Sequence, residues 1–268
     1  MNGSLSSAID TAYENEKPRD YRSSRVGASI AGNPCTAFLA MALRGFPEHP
    51  PTPRLKRIFG AGHRIEDVVV HDLKKAGYSV TEKDAFTNKQ YMWEKYDGNS
   101  VYYADGIIEI NGEAYLLEVK SMNDSLFNRF KDRGVKVSHR KYFDQMQIGM
   151  GYSGFPKSIL IAYNKNTCEY WDELIEYNPI DYSALIINVE KAIYGQEEKV
   201  GEDPQDWRCK DCWKKDWCWG NDPLPMDMRT CQNSYIDEHT GKWECKNGCV
   251  GTCQSWIRYR PPEKGSGK

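Results

Sequence analysis

One stretch decides the predicted fold: residues 101–120, VYYADGIIEINGEAYLLEVK. Two runs rich in apolar and β-branched residues flank the pair Asn111-Gly112. An Asn-Gly pair between such runs is a strong signal for a two-residue hairpin turn. The stretch therefore predicts two neighbouring strands, over residues 101–110 and 114–120, joined by a tight turn.

Three charged side chains of this hairpin suggest chemistry. Glu118 and Lys120 are two residues apart on one strand, so they project to the same face. Asp105, near the middle of the first predicted strand, is brought beside them by the turn. Two carboxylates on one face can hold Mg²⁺ or Mn²⁺, and a lysine beside them can orient a water or offset the charge of a scissile phosphate.

The alternative is a surface hairpin with an ordinary Glu–Lys pair, because Glu-x-Lys alone is a common tripeptide. Leu116 and Leu117 precede the pair, which makes the strand apolar and central in a sheet. Burying a glutamate and a lysine there without a task would be costly. The context therefore favours a functional site.

The rest of the chain alternates between helical and strand-like patterns. The spacing of apolar residues predicts helices over 36–45, 54–76, 123–134, 139–153 and 180–194 and a strand over 157–163. This order predicts an α/β fold in which a central mixed β-sheet is flanked by helices. The predicted organisation is a weakly structured lead-in (1–25), a main domain (26–220) and a cysteine-rich, metal-bound extension (221–268) that ends in a flexible tail from residue 263.

Composition limits the function classes. The 268-residue chain has a formal net charge of −2, so any contact with nucleic acid must come from a local basic surface. No run near the N-terminus resembles a signal peptide, and no stretch approaches the ~20 apolar residues of a membrane span. The sequence predicts a soluble cytoplasmic protein without membrane contact. Its nine cysteines are then expected to be metal ligands or plain thiols rather than disulfides.

Four segments together resemble the PD-(D/E)xK core of RecB-like nucleases. They are residues 104–108 with Asp105, 116–121 with Glu118 and Lys120, 142–147 with Gln145, and 62–66 with His63. The resemblance covers roughly residues 26–220. It implies a restriction-endonuclease-like fold and a DNA nuclease that depends on Mg²⁺ or Mn²⁺.

The resemblance also implies roles for individual residues. The implied metal ligands are His63, Asp105, Glu118 and the carbonyl of Val119. Lys120 would assist the attacking water, Gln145 would place the water or the substrate phosphate, and Glu66 would have a supporting role. One position departs from the family: iron–sulfur members often carry a tyrosine four residues after the motif glutamine, where this chain has Gly149.

Cysteines near the two ends of the main domain form a first group. The spacing of Cys209, Cys212 and Cys218 places three thiolates within reach of one metal, and three thiolates call for a fourth ligand. The setting of Cys35 resembles that of the N-terminal cysteine in iron–sulfur nucleases such as AddB and the CRISPR-adaptation nucleases. The resemblance implies a structural [4Fe–4S] cluster on these four residues. Zinc is the runner-up, and unliganded thiols are the remaining alternative.

A second group lies in the extension and comprises Cys231, Cys245, Cys249 and Cys253. Its spacing is less standard, so an additional Zn²⁺ and plain thiols are equally compatible with it. His239 is a candidate to replace one of the sulfurs. Cys168 stands alone in a strand-like segment and is predicted to lie in the core.

Basic residues are candidates for contacts with DNA phosphates. They fall in two clusters, one around the predicted helix that begins near residue 123 and one beside His63, and comprise Arg57, Arg64, Arg129, Lys131, Arg140 and Lys141. The alternative is a solvated charged face. No base-reading motif is present, so little sequence specificity is expected.

The favoured function is an exonuclease that hydrolyses the phosphodiester bonds of single-stranded DNA or of DNA with free ends, in recombination, repair or phage DNA processing. One alternative is a catalytically inactive nuclease-fold module that binds DNA or a protein through a structural metal cluster. Another is a zinc-binding interaction module without catalysis. The sequence is compatible with an oligomer but contains no evidence for one.

Overall fold

The structure is a computed structural model that describes residues 4–16, 24–249 and 253–265. Its helices are α1 (Leu5–Glu14), α2 (Ala28–Ala31), α3 (Thr36–Leu43), α4 (Pro53–Lys75), α5 (Asp124–Ser138), α6 (Arg140–Ser153), α7 (Pro179–Ile193) and α8 (Lys215–Cys218), with a 3-10 turn at Trp207–Cys209. Its strands are β1 (Val26–Gly27), β2 (Ser79–Thr81), β3 (Met92–Lys95), β4 (Ser100–Tyr103), β5 (Gly106–Ile110), β6 (Glu113–Met122), β7 (Lys157–Asn164), β8 (Tyr170–Glu176), β9 (Ser234–Ile236) and β10 (Trp243–Cys245). Within these ranges, no helix has the length and apolarity needed to cross a membrane.

The main sheet has five strands in the order β2-β5-β6-β7-β8. Strands β6 and β7 are parallel, and the other three neighbouring pairs are antiparallel. Helices α5 and α6 lie between β6 and β7 in the chain and form the crossover that a parallel pair requires. The sheet is thus mixed and flanked by helices, which confirms the predicted fold class.

Strand β6 is central because apolar layers cover both of its faces. Val70 of α4 belongs to one apolar cluster with Leu117 and Val119. Leu116 and Met122 belong to the cluster on the opposite face, which includes side chains of α5 and α6. Even-numbered residues of β6 therefore face α5 and α6. Full burial of one such apolar side chain contributes about 1.5–3 kcal/mol, so a one-residue slip in register would be strongly disfavoured.

The predicted strand over 101–110 is wrong in one respect, because it is two strands in two sheets. Strand β4 pairs with β1 and β3 in a separate three-stranded sheet, whereas β5 pairs with β2 and β6 in the main sheet. Ala104 and Asp105 lie between the two strands. At Gly106, a Cβ atom would lie 3.0 Å from the carbonyl oxygen of Thr81. Glycine therefore permits the close approach at which the chain enters the main sheet.

The predicted hairpin turn between β5 and β6 is confirmed. Asn111 and Gly112 have φ angles of 53° and 81°, in the left-handed region that a type I′ turn requires at both positions. Ile110 pairs with Glu113 across the turn, and the register continues until Gly106 lies opposite Leu117. The turn thus fixes the register between β5 and β6, and this register decides which residues of β6 lie beside Asp105.

The lead-in contains a helix where the sequence predicts weak structure. Ser4 caps α1 by accepting a hydrogen bond from the Ser7 N–H. The helix packs on α4, where Arg57 donates to Asp10 at 2.6 Å. This tertiary contact favours a helix that the polar lead-in alone would not predict. Residues 1–3 and 17–23 of the lead-in lie outside the described residues.

Cys168 is exposed, so its predicted core position is wrong. It lies in the turn between β7 and β8 with a φ of 62°, and its N–H donates to the Asn164 carbonyl at 2.7 Å. The local sequence looks strand-like because strands border the turn on both sides. The Cys168 side chain contacts Tyr163, which packs at the border of one apolar cluster, and this contact leaves the thiol exposed.

The extension contains the two-stranded sheet of β9 and β10 and packs against the end of α3. Arg44, the residue that follows α3, donates hydrogen bonds to the carbonyls of Arg229, Cys231 and Ser234. At the start of the predicted tail, Glu263 forms an ion pair with Lys199 at 2.7 Å. The last tail residues, 266–268, lie outside the described part of the chain.

Candidate functional site

Asp105 lies in the break between β4 and β5, beside the middle of β6. Its Oδ2 atom accepts a hydrogen bond from the backbone N–H of Val119 at 2.8 Å. This bond ties the carboxylate to the peptide next to Glu118. The structure therefore brings Asp105, Glu118 and Lys120 together, with Asp105 on a loop rather than within a strand.

Glu118 is completely buried, with none of its surface exposed. Its Oε1 atom accepts hydrogen bonds from Gln145 Nε2 at 2.7 Å and from Lys120 Nζ. Its Oε2 atom is buried and has no hydrogen-bond partner among the described residues. A buried carboxylate oxygen left unpaired costs stability unless something else, such as a cation, satisfies it.

Lys120 lies between Glu118 and Tyr142, a residue of α6. Its ammonium group contacts Glu118 Oε1 and lies 5.2 Å from the centre of the Tyr142 ring. Burial lowers the pKa of Lys120, but the neighbouring Glu118 and Asp105 carboxylates outweigh burial and hold that pKa above its usual range. The lysine is therefore a fixed positive charge beside two carboxylates.

Burial and mutual repulsion disfavour the charged forms of Asp105 and Glu118. Burial and the charge of Asp105 raise the pKa of Glu118, Lys120 lowers it, and the pKa that results is about 7. Burial also raises the pKa of Asp105, against the influence of Lys120 and the Val119 N–H. A divalent cation between the carboxylates would offset the repulsion and the lost hydration of both groups.

His63 and Glu66, on α4, lie at the opening of this cluster. Burial and the charge of Asp105 raise the pKa of Glu66 to about 7, so its carboxylate belongs to the same electrostatic group. The His63 side chain is 83% exposed, and its Nδ1 atom is 3.9 Å from Glu66 Oε2. His63 is close enough to influence Asp105 electrostatically, but it has no hydrogen bond to Asp105 or Glu118 among the described contacts.

The two glutamines of α6 have different surroundings. Gln145 contacts Glu118, as described above. Gln147 is fully buried, and its side chain bridges the chain between β8 and α7 by donating to the Glu176 carbonyl and accepting from the Asn178 N–H. Gln147 therefore supports the fold, and Gln145 is the glutamine that faces the site.

Tyr102 is a residue of the site that the sequence analysis missed. Its hydroxyl is buried without a hydrogen-bond partner in the described ranges, and burial together with the Glu118 and Asp105 charges raises its pKa well above the usual value. Its ring lies over Gly149, where an added Cβ would be 2.5 Å from the ring. Two features of the sequence could have indicated Tyr102: it is an aromatic residue three positions before Asp105, and Gly149 offers a position without a side chain against which a ring can pack.

The candidate DNA-contacting residues fall into two groups, those that form an ion pair with a carboxylate and those that do not. Arg57 and Arg140 are paired with carboxylates, Arg57 with Asp10 at 2.6 Å and Arg140 with Asp144 at 2.7 Å. The others are exposed and have no carboxylate partner among the described residues: Arg64, Arg129, Lys131 and Lys141. Exposed, unpaired cations are better placed for phosphate contacts than the two paired arginines.

The first cysteine group converges from the two ends of the main domain. Cys35 precedes α3, and Cys209, Cys212 and Cys218 lie in the 3-10 turn, the following loop and the end of α8. Cys212 and Cys218 each lie close enough to Cys35 and Cys209 to interact electrostatically. Burial raises the pKa of Cys35, Cys212 and Cys218, to about 12 for Cys218.

The second cysteine group also converges. All four of its members line one cavity in the extension: Cys231, Cys245, Cys249 and Cys253. His239 does not line this cavity; it is exposed in the turn between β9 and β10. The structure therefore groups the four sulfurs without the histidine.

Comparison with known proteins gives distant structural matches. No family model matches the chain, and no curated protein does. An alkaline exonuclease, LHK-Exo from Laribacter hongkongensis, is 17% identical with a TM-score of 0.41, covering 69% of this chain and 90% of that one. A structure of LHK-Exo in complex with dAMP is 16% identical with a TM-score of 0.39, covering 65% and 88%. The protein SSO0001 is 15% identical with a TM-score of 0.43, covering 81% and 98%. Likenesses this distant leave the activity to be argued from the site itself.

Proposed function

We propose that this chain is a metal-dependent deoxyribonuclease whose site is formed by Asp105, Glu118, Lys120 and Gln145. The observation that carries the proposal is the Oε2 atom of Glu118, which is buried without a hydrogen-bond partner among the described residues. The same carboxylate lies beside a second carboxylate and a lysine. An unpaired buried carboxylate oxygen beside a second carboxylate and a lysine is an arrangement that a divalent cation would stabilise.

The donor set fits a hard divalent cation. Carboxylate oxygens of Asp105 and Glu118, with the Val119 carbonyl, are the ligand type that Mg²⁺ and Mn²⁺ prefer. His63 would join them as a further ligand by turning its exposed side chain inward. When bound, such a cation lowers the pKa of water and stabilises the negative charge that develops on a scissile phosphate.

The residues of the chain have separable tasks in the proposed reaction. Gln145 Nε2 holds Oε1 of Glu118, which leaves Oε2 available to the cation. The Val119 N–H holds one oxygen of Asp105 in the same way. Lys120 offers its ammonium protons to the attacking water or to the phosphate, and its charge offsets the charge that builds up on the phosphate oxygens.

The proposed substrate is DNA, single-stranded or with free ends, and the proposed action is exonucleolytic. The resemblance of the motif segments to RecB-like nucleases supports this choice, with recombination, repair or phage DNA processing in the cytoplasm as the setting. The exposed cations Arg64, Arg129, Lys131 and Lys141 would contact the phosphates without reading bases.

Digestion of defined DNA substrates tests this function. End-labelled single-stranded and double-stranded linear DNA and a covalently closed circle are incubated with the protein in Mg²⁺, in Mn²⁺ or in excess EDTA. We expect shortening of at least one linear substrate with a cation, no reaction in EDTA and an intact circle. No cleavage of any substrate with either cation would contradict the nuclease function, and cutting of the circle would contradict exonucleolytic action.

The proposal includes a [4Fe–4S] cluster on Cys35, Cys209, Cys212 and Cys218. No three of these described sulfurs lie within 4.8 Å of one another. A tetrahedral zinc site with Zn–S bonds of about 2.3 Å would hold its sulfurs about 3.8 Å apart. The described sulfurs of the second cysteine group are no closer by the same measure, so spacing does not distinguish a cluster from zinc. The resemblance of the setting of Cys35 to that of the iron–sulfur nucleases is what supports a cluster of several irons. The cluster would join the segment before α3 to the segment around α8 and so be structural.

Removal of one cluster ligand should abolish the iron signature. Anaerobically purified wild-type protein is expected to be brown, with the broad visible absorption of thiolate-ligated iron and about four irons per chain. Cys212→Ser should lose most of this absorption and iron, because it removes one of the four thiolates that would hold the cluster. Cys168→Ser is the matched control, since Cys168 is exposed and distant in the fold. A colourless wild-type protein with zinc in place of iron would contradict the cluster.

A further inference from the structure

Four cysteines of the extension enclose one cavity that the nuclease proposal does not use. Its lining includes Cys231, Cys245, Cys249 and Cys253, with Met226, Asp227, Met228 and Trp256. Cys231 is buried and the other three cysteines are half-buried. Four cysteines that line one cavity, from positions up to 22 residues apart in the chain, are a stronger observation than their irregular spacing in the sequence, although no three of their described sulfurs lie within 4.8 Å of one another.

Two of the sulfurs, those of Cys245 and Cys249, belong to one tight turn whose backbone N–H groups point at the Cys245 sulfur. Cys245 ends β10, and the backbone N–H groups of Asn247 and Cys249 donate hydrogen bonds to its sulfur. Gly248 has a φ of 68°, and its N–H donates to the Cys245 carbonyl at 2.9 Å. Glycine allows this left-handed conformation at no steric cost. Backbone donors directed at sulfur stabilise the charged form that metal binding requires.

The other two sulfurs that line the cavity belong to Cys231 and Cys253. The Cys249 and Cys253 sulfurs are 2.9 Å apart, and Cys245 also contacts Cys249. Cys231 forms an antiparallel bridge with Arg258, which draws the last described segment back against the first cysteine. A single zinc ion with Zn–S bonds of about 2.3 Å would hold all pairs about 3.8 Å apart, so the closest pair would have to separate. The wider pairs would have to approach, because no three of the four described sulfurs lie within 4.8 Å of one another.

The extension also has little apolar core of its own. The extension has two three-residue strands, and Ile236 and Tyr259 are the large apolar side chains that it buries among its described residues. So short a segment with so few buried apolar side chains commonly depends on a metal or another covalent staple. A metal bound by the four cysteines would tie three separate loops together.

We propose that Cys231, Cys245, Cys249 and Cys253 bind one structural Zn²⁺ ion. Thiolates are soft ligands that select zinc over Mg²⁺ or Mn²⁺. Four protein ligands leave no open position on a tetrahedral ion, so the site would be structural rather than catalytic. The site is separate from the carboxylate cluster and from the first cysteine group, and the proposal does not depend on nuclease activity.

Zinc content of matched variants tests the proposal. Full-length protein is produced without a polyhistidine tag in zinc-supplemented medium, and iron and zinc per chain are measured by mass spectrometry. We expect Cys249→Ser and Cys253→Ser each to lose one zinc equivalent relative to wild type. Cys168→Ser should retain the wild-type zinc content, and iron should be unchanged in all of them. Equal zinc in Cys253→Ser and wild type would overturn the proposal.

Thiol footprinting of the wild-type chain covers the case in which the serine variants fail to fold. The native protein is alkylated before and after addition of a zinc chelator, and each cysteine is followed by peptide mass spectrometry. Cys249 and Cys253 should be protected until the chelator is added, whereas Cys168 should react from the start. Alkylation of all three at the same rate before chelation would overturn the proposal, as would a Cys249–Cys253 disulfide in the protein as purified.

Discussion

Glu118→Gln is expected to reduce DNA cleavage roughly 10³-fold, because a lost metal ligand removes several kcal/mol of transition-state stabilisation and each 1.36 kcal/mol is tenfold. The amide has the shape of the carboxylate, and its oxygen can still accept from Gln145 and Lys120. It also removes a buried negative charge, so the fold should persist. The measurement is the initial rate on end-labelled DNA in Mg²⁺, beside circular dichroism of the same sample.

The matched control is Glu113→Gln, at the first residue of the same strand. Glu113 is exposed and contacts Tyr115 and Lys157 at the far end of β6 from the cluster. Its neutralisation should leave the cleavage rate within about twofold of wild type, as expected for a surface change. Cleavage by Glu118→Gln at a rate close to that of Glu113→Gln would show that the buried carboxylate is not part of the reaction.

Arg44→Met is expected to lower the free energy of unfolding by about 3–5 kcal/mol, because it removes several hydrogen bonds made by a buried charged group, each of which contributes about 1.5–3 kcal/mol. The guanidinium is 7% exposed and donates to three backbone carbonyls and to the Ser234 hydroxyl. It also lies 3.8 Å from the centre of the Tyr259 ring. The variant would remove these four hydrogen bonds, while the Ser234 hydroxyl would remain as a donor to the Cys231 carbonyl. Urea unfolding followed by tryptophan fluorescence measures the loss.

Limited proteolysis shows which part of the chain the Arg44→Met substitution destabilises. Because Arg44 attaches the extension to α3, the variant should be cut first within residues 221–265, while the main domain resists. Arg54→Met, an exposed arginine in the first turn of α4, is the control and should unfold like wild type. A loss below about 1 kcal/mol for Arg44→Met, the size of a single hydrogen bond, would contradict the network role.

The hairpin was predictable from the sequence because its determinants are local. Asn111 and Gly112 tolerate the left-handed backbone, and alternation along β6 fixes which residues share a face. Those two facts place Glu118 and Lys120 together without knowledge of the rest of the chain. The α/β class followed in the same way from the order of helical and strand patterns.

The break at Asp105 was not predictable, because it depends on distant partners. Residues 101–110 form one apolar run, yet β4 pairs with β1 and β3 while β5 pairs with β2 and β6. Arg44 was missed for a similar reason. At the end of a helix it looks like a polar terminus, and its acceptors lie some 190 positions away in the extension. Pairing between remote segments leaves no local pattern.

In the proposed site, Asp105 and Glu118 share one divalent cation. Calorimetric titration of Mn²⁺ into wild-type protein, Glu118→Gln and Asp105→Asn measures it most directly, without dependence on substrate or turnover. We expect one Mn²⁺ site per chain in wild type and its loss in both variants, each of which remains folded. Equal Mn²⁺ binding by all three proteins would contradict the shared site.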